Sequence, residues 1–123
     1  MVYNVIVRMN LTKSIKEATI MNGNERIAYR NIKHCINWIV GGYYNCLQDH
    51  CPEYLYKNRE ALEQEVYESA LNNLYDEGYE GYGKAPKEMR FAGEEFIRKT
   101  IKDMLSKDDD VMVIDHYLAT GEW

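Results

Sequence analysis

The stretch ATIMNGNERIAYR, residues 18–30, decides how much sheet this chain can hold. Asn22-Gly23 lies between two apolar runs, and both residues accept the positive φ that a two-residue hairpin turn demands. On that reading Ala18–Met21 and Arg26–Tyr29 are paired strands. The rival reading makes residues 12–21 a short helix, with Gly23 just past its end. Residues 12–29 thus admit hairpin or helix, and the turn signal favours the hairpin.

Outward from this stretch, residues 2–9 read as a strand, with Tyr3, Val5, Val7 and Met9 on one face. Asn31 is placed to cap a helix in which Ile32, Cys35, Ile36, Ile39, Val40, Tyr43 and Leu47 recur at helical spacing. Gly41-Gly42 interrupts it, which suggests close packing or a kink, and Pro52 ends the segment. Asn58 caps a second helix burying Leu62, Val66, Ala70, Leu71 and Leu74 and stopping at Gly78. Pro86 suits the first turn of a third, whose inner face is Met89, Phe96, Ile97, Ile101, Met104 and Leu105. On it Glu94 and Arg98 form a surface pair. Asp108-Asp109-Asp110 reads as a solvated helix terminus, and Val111–Ile114 as a final strand.

The predicted fold is therefore α+β. Three main helices pack on a small sheet made by the N-terminal strand and hairpin and the C-terminal strand. With 123 residues, the whole chain, 1–123, forms one compact domain.

The apolar run near Ile36–Tyr44 is too short to span a bilayer, and no signal peptide opens the sequence. Three cysteines, an odd number, read as reduced thiols, so the expected compartment is the cytoplasm.

Charge is segregated. The chain carries −5 in all, yet residues 58–80 alone carry a net −6, with Arg59 their only base, while residues 1–57 carry +3. Immediately beyond the acidic helix comes YDEGYEGYG, residues 75–83. Tyrosines are eleven in all, against two phenylalanines, and a tyrosine tip tolerates water. Carboxylates repeating each helical turn, about 5.4 Å, approximate the intervals between phosphates on a nucleic-acid strand. Arginine on a partner can stack on a tyrosine ring while pairing with the neighbouring acid.

The expected function is a non-enzymatic, tyrosine-rich acidic binding or inhibitor protein with neither cofactor nor catalytic residue. Its docking residues would be Tyr75, Asp76, Glu77, Tyr79, Glu80 and Tyr82, supported by Glu60, Glu63 and Glu68. The expected partner is a basic protein surface, such as a host nuclease or other nucleic-acid-binding protein. Over residues 58–83 the composition resembles the small phage anti-defence inhibitors, the anti-CRISPR and DNA-mimic proteins. That resemblance implies mimicry of a nucleic acid. A second subunit on the basic pole would make the chain a homodimer.

Two alternatives draw on other residues. His34, Cys46, His50 and Cys51 contain ligand and nucleophile types, so a small metal- or thiol-dependent enzyme is one. Cys35 lies 11 residues before Cys46, roughly 16 Å along a straight helix, and joins them only if the chain bends at Gly41-Gly42. The other is a nucleic-acid-binding module using a basic N-terminal hairpin with Arg8, Lys13, Lys16, Arg26, Arg30 and Lys33, although a pI near 5.2 opposes it. No phosphate-binding glycine motif is present, since Glu80 stands inside Gly78–Gly83. Asp115 and His116 would point to opposite faces of the last strand.

Overall fold

The computed structural model describes residues 21–72 and 85–123. Within them the chain is helical, with no strand. Helix α1 spans Gly23–Gln48, α2 Arg59–Asn72, α3 Ala85–Ala92, α4 Glu94–Ser106 and α5 Asp109–Thr120, and a 3₁₀ turn covers Pro52–Tyr54. The architecture is a helical bundle, with α1 touching each of the other four helices.

The deciding stretch opens a helix. The Asn22 side chain accepts from the Glu25 amide at 2.8 Å, and the Glu25 carboxylate accepts from the Asn22 amide at 3.1 Å. This reciprocal capping box satisfies two of the donors that every helix N-terminus leaves unpaired. From there α1 runs for 26 residues, about 39 Å. Ala28, Ile32, Cys35, Ile36, Ile39, Val40 and Leu47 are all buried along it.

Among the described residues, from 21 onward, the expected hairpin over residues 18–29 is therefore wrong. Gly23 is the first helical residue, neither a turn residue nor a helix stop. Asn31 is not a cap but lies inside α1, 2% exposed, donating from its amide to the Ala70 carbonyl of α2 at 3.0 Å. Gly41-Gly42 does not interrupt α1, which runs unbroken through both residues, and a Cβ added at either would meet no described atom within 4 Å.

The later elements follow their local signals more closely. Asn58 accepts from the Ala61 amide at 2.8 Å, so α2 starts as its cap requires, and Leu62, Val66 and Ala70 are buried. Leu71 is half-buried against the core. The expected stop at Gly78, like Leu74, lies outside the described residues. The single third helix is in fact two. Gly93, at φ +94, separates α3 from α4, a conformation that costs glycine little and other residues more. Met89, Ile97, Ile101 and Leu105 form the buried faces of that pair, each worth roughly 1.5–3 kcal/mol relative to exposure.

The C-terminal strand is also wrong, and with it the α+β class. Asp108 accepts from the Val111 amide at 3.0 Å and caps a helix. Val111 and Ile114, three apart, are both buried, whereas Met112 between them is exposed. That is helical spacing; strand alternation would bury every second residue. The strand expected at residues 2–9 lies outside the described residues. Among the described residues no helix is long and apolar enough to cross a membrane.

Candidate functional site

The acidic helix α2 turns Leu62, Val66, Ser69 and Ala70 into the bundle. Glu60, Glu63, Glu65 and Glu68 take the positions left over: Glu60 and Glu68 are exposed, Glu63 and Glu65 half-buried.

The base on this helix is already engaged. Arg59 Nη2 donates to Asp115 Oδ2 at 2.5 Å, and the Tyr56 hydroxyl donates to Asp115 Oδ1 at 2.6 Å. The Tyr56 ring meets the Tyr43 ring edge-on, centroids 5.2 Å apart. Tyr43 in turn donates from its hydroxyl to Glu65 Oε1 at 2.5 Å. A polar and aromatic belt thus ties α1, α2 and α5 together. Burial, reinforced by the hydrogen bond to Asp115, holds the Tyr56 phenol well above the ordinary tyrosine range.

Arg98 of α4 also reaches α2. Its guanidinium lies 3.8 Å from the Tyr67 ring centroid, donates to Glu94 at 2.8 Å and donates to Gln64 at 3.2 Å. The Glu94–Arg98 pair is the one expected from the sequence. Gln64 donates onward to Glu68 at 2.9 Å. Arg98 therefore touches the polar and aromatic side chains of α2 without forming an ion pair to its glutamates. Glu60, Glu63 and Glu68 make no ion pair among the described residues.

Of the expected docking residues, Glu60, Glu63 and Glu68 share helix α2, where Glu60 and Glu68 are exposed and Glu63 is half-buried. Tyr75, Asp76, Glu77, Tyr79, Glu80 and Tyr82 lie outside the described residues. Sequence reading missed Tyr56, Arg59 and Asp115 as a unit. No local pattern signals it, because Arg59 and Asp115 stand 56 positions apart.

The ligand set imagined for a metal enzyme does not assemble. Among the described residues no three His, Cys, Asp or Glu side chains converge on one point. Cys35 is buried in the core, with its thiol pushed up to about 11 by burial. α1 does not bend back at its glycines to bring Cys35 to Cys46. His50 instead sets its ring edge-on to Trp123, centroids 6.0 Å apart.

The basic residues of the second alternative are rearranged too. Arg26, Arg30 and Lys33 lie on α1 rather than on a hairpin, and Arg26 Nε donates to the Met21 carbonyl at 3.1 Å. Arg8, Lys13 and Lys16 lie outside the described residues. No protein-family model, no curated protein and no solved structure matches the chain.

Proposed function

We propose that this is a non-enzymatic binding protein of the cytoplasm that docks a carboxylate-bearing helix on a basic protein surface. One observation carries the reading. Arg59, the only base between residues 58 and 80, is committed to Asp115, while Glu60, Glu63 and Glu68 project from α2 with no ion pair among the described residues. The core takes the apolar stripe of α2 and leaves a net acidic face. The tyrosines and acids of residues 75–82 follow directly in sequence and extend the same composition.

A basic surface that normally holds a nucleic acid is the natural receptor, because it presents arginines to carboxylates and rings alike. Inhibition by occupying that surface is the functional outcome. The odd number of cysteines, three, supports a reducing compartment.

The experiment is affinity capture with the full chain, with and without nuclease, followed by a salt titration of the captured complex. The variant Glu60→Lys/Glu63→Lys/Glu68→Lys serves as comparison. A basic partner held by the native chain after nuclease treatment, lost in the variant and weakened as salt shortens screening below about 8 Å, supports the reading. A partner that binds the variant equally well, with affinity flat in salt, overturns it.

A further inference from the structure

The C-terminus of α1 carries a second site, independent of the acidic helix. After Gln48 the chain forms a paired closing turn. The His50 amide donates to the Leu47 carbonyl at 3.1 Å, and the Cys51 amide donates to the Cys46 carbonyl at 2.9 Å. This is the Schellman arrangement, in which the residue in the left-handed conformation is usually glycine. Here it is His50, at φ +62, the one non-glycine residue with positive φ among those described.

In such a turn the third residue from the helix end and the second residue beyond it bring their side chains together, usually as an apolar contact. Both positions here are cysteine. The hydrogen bond sets a limit on their separation. Adding the Cα-to-oxygen reach of Cys46, the 2.9 Å bond and the N–Cα bond of Cys51 puts the two Cα atoms at most about 6.8 Å apart. Bridged cysteines span 4.4–6.8 Å, so that bound lies at the upper edge of a disulfide's reach. Both thiols are free and partly exposed, and Cys51 Sγ lies 3.6 Å from the Asp49 carbonyl oxygen, at the mouth of the same turn. Cys35, by contrast, is 1% exposed in the core.

We infer that Cys46 and Cys51 form a dithiol modification site that takes up a small-molecule disulfide and closes reversibly into an intrachain disulfide across the end of α1. The partly exposed Cys51, as its thiolate, attacks one sulfur of oxidised glutathione, breaking its S–S bond and releasing one glutathione thiolate. Cys46, deprotonated, then attacks Cys51 Sγ in the mixed disulfide and releases the second. Two protein thiols are oxidised, one glutathione disulfide is reduced to two thiols, and the two protons pass to the released thiolates or water. In a reducing compartment such a bond is transient, which suits a redox-responsive clamp rather than a permanent staple.

The test equilibrates the full-length folded protein in mixtures of reduced and oxidised glutathione, quenches with acid, alkylates and maps the thiols by mass. The expected result is loss of two alkylation sites, a Cys46–Cys51 linked peptide, and Cys35 still free. Repeating the equilibration in urea removes the turn, and the glutathione equilibrium constant should be at least tenfold greater for the folded chain. Cys46→Ser and Cys51→Ser should each instead accumulate a lasting glutathione adduct on the remaining thiol. Two separate adducts on the native chain, a bridge involving Cys35 or a second chain, or a constant no larger folded than in urea, would overturn the assignment.

Discussion

Arg59 and Asp115, at the start of α2 and in the middle of α5, form an ion pair at 2.5 Å across 56 residues of sequence, with side chains about a third exposed. Asp115 also accepts from Tyr56, so one carboxylate ties the loop before α2 to the C-terminal helix. Because neither partner is fully buried, solvent screens part of the attraction. Asp115→Asn should lower stability by about 1–2 kcal/mol and Tyr56→Phe by about 1 kcal/mol, with a double-mutant cycle revealing their coupling. Urea unfolding of the four proteins measures this.

The same hydroxyl makes stability depend on alkaline pH. Tyr56 titrates higher when folded than when unfolded, chiefly through burial and then through its bond to Asp115. A group with a raised folded pKa contributes fully below its unfolded value, about 10 for tyrosine, and loses that contribution as pH rises beyond it. The urea midpoint should therefore fall between about pH 9.5 and 11, and Tyr56→Phe should fall less steeply.

Cys35 and the two cysteines at the end of α1 differ in burial. With its thiol pushed up to about 11 and closed inside the core, Cys35 should resist iodoacetamide near pH 8 while Cys46 and Cys51 react. In denaturant all three should react at similar rates. Timed mass spectrometry of the alkylated chain reads this directly.

Glycines at three positions should answer an alanine substitution in opposite directions. Gly41 and Gly42 sit in the helical interior, where an alanine Cβ would meet no described atom within 4 Å, so each change to alanine should raise stability by up to about 1 kcal/mol. At Gly93, too, a Cβ would meet no described atom within 4 Å, but its φ of +94 penalises any side chain. Gly93→Ala should cost about 1–2 kcal/mol, read as a fall in melting temperature.

The capping box offers a check on the element that overturned the hairpin. Asn22→Ala should cost about 1 kcal/mol and Glu25→Ala less, with helicity lost mainly at the start of α1. A hairpin at this point would respond instead to loss of Gly23, which α1 tolerates as a first-turn residue.

Much of the helical layer could be read from local pattern alone. Asn58 before the Leu62–Val66–Ala70 stripe, Pro86 ahead of Met89, and the Ile97–Ile101–Leu105 repeat are caps and periods whose physics is contained within a few residues. So is the placing of the α2 glutamates outside its buried stripe, with Glu60 and Glu68 exposed and Glu63 and Glu65 half-buried. Asn22-Gly23 and Val111–Ile114 are different, since their local chemistry serves two structures equally. Asparagine accepts the turn and also caps a helix, and a run of four apolar residues suits a buried strand or one face of a short helix. What chose between them was burial at a distance: Ala28, Ile32 and Cys35 on one side, Val111 and Ile114 on the other, each spaced to meet neighbouring helices. The Arg59–Asp115 pair belongs to that second class, because a charge finds a partner 56 residues away only once packing has set the two helices side by side.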